Sequence, residues 1–535
     1  MTTLVPRPPY TDDELKSLYP ANLDLQLVQV LLRHGERTPV SPRFQNTGLP
    51  SFWPYCTAVR QFKSTVLDRT AGQFTTLEWK RRLESFGRND EPILVAGPGG
   101  ELDGICDMGM LTDRGRETTF DLGTRLRRLY VDQLGFLPPT LPNADSLYLR
   151  ATPIPRALDS LQETLIGLYP AHTRSPSFPP PTVLLRSPGE ETLFPNDGQC
   201  RRFAALSRAF AQRAADRWND TDEMAYLNKL YGKWMPTTSP KVAVDGRPRL
   251  SGIMDTINST LAHGPETRLP KEFYDPKGRE IIEKIAVDEW FAGYKESQEY
   301  RTLGIGGLMG DIVGRMVDSA EHSSVDGEYE VGKAPRKQRP GDTNGTAPIR
   351  FGLSGCHDTT LAGVLASLGA HENNDWPPYT SHIAIEMFRK SESASKTPGP
   401  TAGPPQTTAG NADLNATSSS SSWFTSFFSW TSSVGSRVRP GAPPPGIGRK
   451  QTEQLTPKEK AKLQHYYVRL RYNDEVVTIP GCRTPGNHLE GNESFCTLEA
   501  FKAIVDKFVP NNWKQQCSER VKEPAFPAKP EPAGY

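Results

Sequence analysis

Two short stretches carry the residues best suited to chemistry. The first is Leu31-Leu32-Arg33-His34-Gly35-Glu36-Arg37-Thr38-Pro39, in which two arginines bracket a histidine. Two guanidinium forks can hold a phosphate bidentately, and a histidine between them can act as nucleophile or as a further donor. The second is Phe351-Gly352-Leu353-Ser354-Gly355-Cys356-His357-Asp358-Thr359-Thr360. A His-Asp pair that opens a helix sits where free backbone N–H groups point at an anion. Each stretch alone has an ordinary explanation, because a lone Arg-His pair is usually solvated surface and a polar pair often caps a helix. Together they describe a phosphate site.

Such a site needs rigid elements behind it. The apolar run Leu27-Val28-Gln29-Val30 before Arg33 reads as a buried strand, and Gly35 lets the backbone turn after it. Ser146–Arg150 reads as a second buried strand, so Arg150 ends a strand as Arg33 does. Carboxyl ends of neighbouring strands in an open α/β sheet converge on one crevice. Pro153 and Pro155 hold off the next helix until Arg156, and Leu158, Leu161, Leu165 and Leu168 then recur at helical spacing. Thr112 caps a further helix with Asp113 in its first turn and Leu122, Leu126 and Leu129 on its buried face. The helix after His357-Asp358 buries Leu361, Val364, Leu365 and Leu368 and stops at Gly369. Further strands are expected at Thr182–Arg186, His382–Phe388, Tyr466–Tyr472 and Glu475–Ile479. The glycine clusters at 97–100 and 304–310 lack dinucleotide-binding spacing and read as a loop and a packing feature.

The chain has 535 residues, a formal charge of +1, 45 glycines and 49 prolines. Near-neutrality excludes a global field for nucleic acid, so phosphate specificity has to be local. The predicted class is α/β: a central mixed sheet flanked by helices, with an inserted, mostly helical cap domain. The expected segments are an arm over 1–24, a first part of the core over 25–190, a cap and mobile loop over 191–348, a second part of the core with His-Asp over 349–390, a disordered Ser/Thr/Pro/Gly-rich insertion over 391–456, a third part of the core over 457–517 and a disordered tail over 518–535. Within the insertion, 418–439 interleaves Trp423, Phe424, Phe427, Phe428 and Trp430 with serine and threonine, a pattern that could lie in a membrane surface as peripheral contact. The first residues hold no apolar core behind basic residues, and no 18-residue apolar run occurs. The expectation is an intracellular protein, cytoplasmic or mitochondrial and not secreted, with its seven cysteines free. Cys482 and Cys496 could pair only in an oxidising compartment.

Arg33-His34-Gly35-x-Arg37-x-Pro39 resembles the signature of the histidine acid phosphatases, the second branch of the histidine phosphatase superfamily. The likeness continues through Glu191-Thr192-Leu193-Phe194-Pro195-Asn196, Ala262-His263-Gly264, Cys356-His357-Asp358-x-Thr360-Leu361 and Trp376-Pro377-Pro378. It implies a phosphoglycerate mutase-like fold and phosphomonoester hydrolysis through a phosphohistidine on His34. It also implies that Asp358 is the general acid and that Arg33, Arg37, Arg150 and His357 bind the phosphate. Arg150 matches the arginine of an Arg-Ser-Thr motif whose serine is Ala151 here, and Arg156, further along the motif, supports the loop. That cycle uses no metal or other cofactor. The likeness is strongest to intracellular lysophosphatidic acid phosphatases, which makes a lysophospholipid the expected small-molecule partner and Asp255 and His263 candidate substrate contacts. One rival is an inositol-phosphate phosphatase or phytase, whose cap should turn several lysines to the site. The other is an inactive phospholipid- or partner-binding scaffold, which should have a broken constellation, whereas every member is present.

Overall fold

The computed structural model describes residues 2–321, 348–371, 375–391 and 446–535. Most of the expected mobile loop and of the insertion, the aromatic stretch 418–439 included, lies outside these residues. The strands in chain order are β1 Leu23–Arg33, the hairpins β2 Phe62–Asp68 with β3 Gln73–Trp79 and β4 Glu84–Phe86 with β5 Pro92–Leu94, then β6 Leu147–Ala151, β7 Phe351–Cys356, β8 His382–Lys390, β9 Tyr466–Tyr472, β10 Glu475–Val477, β11 His488–Leu489 and β12 Asn492–Thr497. The central sheet runs β11-β12-β9-β8-β1-β7-β6, with β10 on β9. β1, β7 and β6 are parallel, and β8 lies antiparallel on the other side of β1. The mixed sheet follows from the sequence: β6 and β7 are buried along their whole length, as suits apolar strands covered on both faces.

One face of the sheet carries α2 Asp113–Arg127 and α3 Pro155–Leu168, which follow α1 Asp12–Leu18 of the N-terminal arm. Thr112 caps α2 through the Gly115 N–H at 3.3 Å, as its sequence predicts. α2 and α3 cross where Gly123 meets Gly167, and a Cβ on Gly123 would fall 2.1 Å from Thr164 O. The other face carries the cap, built from α4 Arg201–Trp218, α5 Asp222–Tyr231, α6 Leu250–Leu261, α7 Pro276–Glu296, α8 Gln298–Arg301 and α9 Gly307–Ala320. These helices share one buried apolar cluster with α10 Asp358–Ser367, the helix that follows His-Asp. The glycine run at 304–310 is a packing feature, since a Cβ on Gly306 would lie 2.0 Å from Phe508 O. The arm does more than lie on the surface: Leu4 N donates to Tyr379 O and Tyr379 N to Thr2 O.

Several expectations need correcting. No strand forms over Thr182–Arg186; only Leu184 bridges, to Arg150. Pro179 to Pro181 before it and Pro188 after it remove the donors that a ladder needs. Residues 446–456 are ordered, with Ile447 buried and the Thr452 hydroxyl donating to Asp506 at 2.6 Å. The tail is also ordered, because Arg202 donates to Glu523 O and Pro524 O and Phe526 packs on Phe210 at 4.9 Å between rings. The cysteines are not free: Cys56–Cys106, Cys200–Cys517 and Cys482–Cys496 are disulfides. Side chains far apart in sequence meet only in the fold, which spacing alone does not show. Cys356 stays a thiol, pushed up to about 12 by burial.

Candidate active site

The two motifs meet because their strands are neighbours. Arg33 at the end of β1 pairs in register with Cys356 at the end of β7, and His34 N donates to Cys356 O at 3.1 Å. His34 and His357 then stand 5.4 Å apart between ring centroids. Gly35 has no left-handed conformation, so it is not the turn device expected from sequence. It is needed for close approach, since a Cβ there would lie 2.2 Å from Gly115 O, and one on Gly115 would lie 2.2 Å from Glu36 O. The glycine of Leu111-Thr112-x-x-Gly115 therefore seats α2 against the signature loop. Glu36 is fully buried beneath that loop and accepts from the hydroxyls of Thr3 at 2.8 Å and Thr118 at 2.6 Å.

His34 is buried, and its Nδ1 lies 2.9 Å from Gly35 O. A carbonyl only accepts, so Nδ1 carries the proton and Nε2 keeps its lone pair. Burial, followed by Arg156, Arg37 and Arg33, holds the imidazole well below its usual range, so it is neutral at working pH. His357 caps α10 and shares a 3.0 Å hydrogen bond with the Thr152 hydroxyl. Burial, with Arg156 the strongest cation acting on it, lowers it too.

Asp358 opens α10. Its Oδ2 pairs with Arg33 Nη2 at 2.7 Å and accepts from Trp376 Nε1 at 3.1 Å, while Oδ1 accepts from Thr359 N at 2.8 Å. Burial pushes the carboxyl up, but Arg33, Arg37 and the indole outweigh burial and hold it below the ordinary carboxylate range. Arg33 is fixed further by Pro377 O and by the face of Tyr379, 4.1 Å from its guanidinium carbon. Arg37 donates through Nη1 to Thr38 O and to Asp255 Oδ1 at 2.7 Å.

Arg150 does not join this group. Its Nη2 pairs with Glu191 at 2.5 Å and its Nη1 lies 3.6 Å from Asp311, inside an ion network that also takes in Arg186 and Arg449. The arginine that completes the cluster is Arg156, in the first turn of α3. Its Nη1 donates to Gly109 O at 3.4 Å, its Nε has no partner among the described residues, and burial lowers it to about 10. The signal was the proline pair, which starts α3 at the crevice rather than beyond it. His263 also leaves the site. Its ring nitrogens bond the Thr112 hydroxyl at 2.8 Å and Ser259 O at 2.7 Å, it stacks on Tyr55, and burial lowers it to about 4, so it is a packed core histidine. Asp255 does reach the site.

A cavity of about 350 Å³ opens beside Arg33, Arg37 and Asp358. Val40, Pro248, Met254, Trp290 and Trp376 give it an apolar wall, and none of its lining residues is a lysine. Among the described residues, no group of three or more His, Cys, Asp or Glu side chains is placed to hold a metal ion.

A neutral histidine with a free Nε2, ringed by three arginines and a helix-capping His-Asp pair, is a site for phosphomonoester cleavage. The family model for the histidine phosphatase superfamily (branch 2) matches residues 24–398. A probable acid phosphatase of Schizosaccharomyces pombe is 33% identical over 500 residues, covering 93% of this chain and 95% of its own. Lysophosphatidic acid phosphatase type 6 of Homo sapiens is 25% identical over 377 residues, covering 69% of this chain and 75% of its own. A solved structure of Hafnia alvei phytase with tartrate superposes with a TM-score of 0.48 at 13% identity, covering 93% of this chain and 99% of that one. This chain belongs to the histidine phosphatase superfamily, branch 2, and within it to the acid phosphatases, which hydrolyse phosphomonoesters.

Proposed function

We propose that the enzyme removes the phosphate of a lysophospholipid such as lysophosphatidic acid through a phosphohistidine on His34. The observation that carries the substrate reading is the apolar wall next to the cationic cluster. Arg43 and Arg249, the other two arginines lining the cavity, are already paired with Asp255 and Glu289. An inositol polyphosphate would find few free cations there, while a glycerol and acyl chain would find Trp290, Trp376 and Met254. The resemblance to lysophosphatidic acid phosphatase type 6 supports the same reading.

In the first step the Nε2 lone pair of His34 attacks phosphorus, forming the N–P bond as the bond to the leaving oxygen breaks. Arg33, Arg37 and Arg156 neutralise the three equatorial oxygens, and neutral His357 can add a hydrogen bond. Asp358 gives its proton to the leaving oxygen. Its carboxyl is ionised in the empty site, so that proton has to be regained as the phosphate arrives. A phosphate next to Asp358 disfavours its charge and takes over part of the pairing with Arg33, and both effects raise its affinity for a proton. In the second step Asp358 takes a proton from water, the water oxygen bonds phosphorus and the N–P bond breaks, which restores neutral His34.

The test is phosphate release from lysophosphatidic acid, phytate and para-nitrophenyl phosphate. The expected result is the highest kcat/KM with the lysolipid and the lowest with phytate. A preference for phytate would move the substrate to the inositol phosphates.

A further inference from the structure

We infer that Asp255 is a specificity-determining residue that excludes substrates carrying a second phosphate beside the one being cleaved. The inference rests on the single-phosphate lysolipid reading and assigns one side chain to it. Asp255 sits on α6 of the cap and lines the cavity into which the leaving group must extend. Both of its oxygens are fixed by the core loop that follows the signature. Oδ1 accepts from Arg37 Nη1 at 2.7 Å, and Oδ2 accepts from Val40 N and from Arg43 Nη1, each at 3.2 Å. Its side chain is only 12% exposed, so the charge can neither swing away nor be screened well by solvent. A close fit holds Arg43 in place, since a Cβ on Gly252 would lie 2.9 Å from its guanidinium.

This arrangement puts a fixed negative charge one guanidinium away from the reacting phosphate. The reacting phosphate is compensated by Arg33, Arg37 and Arg156. A second phosphate on the leaving group would face Asp255 across the cavity, and the cations there are already taken: Arg43 by Asp255 and Arg249 by Glu289. Two like charges in a partly desolvated cavity repel strongly. The glycerol and acyl portion of a lysolipid carries no such charge. Discrimination therefore comes from a repulsive element as well as from the apolar wall.

The test compares wild type with Asp255→Asn and Asp255→Glu. Asparagine keeps the shape and can still accept from Arg37, whereas glutamate keeps the charge. The readout is the ratio of kcat/KM for phytate to kcat/KM for para-nitrophenyl phosphate, which a general loss of activity does not move. In Asp255→Asn the ratio should rise on the order of tenfold, and in Asp255→Glu it should stay near wild type. Phytate should raise the thermal unfolding midpoint of Asp255→Asn more than that of wild type, a reading that needs no turnover. An unchanged ratio and an unchanged midpoint shift in Asp255→Asn, with wild type still poor on phytate, would overturn the inference alone. A wild type that prefers phytate would overturn the lysolipid reading and the inference together.

Discussion

Two arginines six residues apart show how a residue's type and neighbourhood divide its role. Arg150 ends a buried strand and looks in sequence like a phosphate ligand, yet both its terminal nitrogens face the carboxylates of Glu191 and Asp311. Arg156 follows a proline pair and looks like loop support, yet it is the strongest cation acting on His34 and His357. Removing one partner of a buried ion pair is costly because the other charge is left uncompensated, about 3–5 kcal/mol. Arg150→Met should therefore act on stability, lowering the unfolding midpoint. Arg156→Met should leave the midpoint nearly unchanged and lower kcat/KM on the order of a hundredfold through a lost transition-state contact. Thermal unfolding beside steady-state kinetics on the two variants checks this, and the reverse pattern would return Arg150 to the phosphate.

At the scale of elements, the strands that deliver the chemistry were legible in the sequence. β1 and β7 end in Arg33 and Cys356 and β6 ends one residue past Arg150; their apolar runs are buried where they approach the site, and period and composition suffice for such strands. The helices that follow were legible from Thr112, the Pro153 and Pro155 pair, and His357-Asp358. What sequence could not supply was direction across a strand or approach between elements. Arg150 sits at the expected end of its strand but points away from the crevice. Gly35 was expected to turn the chain, whereas its role is to let Gly115 come within contact of the signature loop. His263 shares the cap with Asp255, but only the fold shows that it bonds to Thr112 instead of facing the cavity. The Thr182–Arg186 strand failed because apolar composition was weighed above its flanking prolines.

At the scale of the whole molecule, the disulfides tie together parts that sequence reading kept separate. Cys200–Cys517 joins α4 of the cap to the C-terminal helix Trp513–Ser518 across 317 residues. Cys56–Cys106 closes the base of the two hairpins, next to the signature loop. Disulfides persist where the compartment is oxidising, whereas free thiols go with the cytoplasmic or mitochondrial location expected from the sequence, so the state of these cysteines is itself a test of location. Thiol titration of the denatured protein, without reductant, should count one reactive cysteine, Cys356. A count of seven would support the reducing-compartment reading. The same bridges make reduction a probe of the cap, because opening the long Cys200–Cys517 loop releases chain entropy in the unfolded state and should lower the unfolding midpoint by several degrees.

The central claim is that His34 carries the phosphoryl group. The direct measurement is a rapid alkaline quench of the enzyme turning over 32P-labelled substrate, followed by peptide mapping of the label under alkaline conditions. The account predicts an acid-labile, alkali-stable phosphoryl group on the peptide holding His34, absent in His34→Ala and longer-lived in Asp358→Asn. Turnover by wild type with no label on that peptide, or an equal rate of phosphate release by His34→Ala, would contradict it.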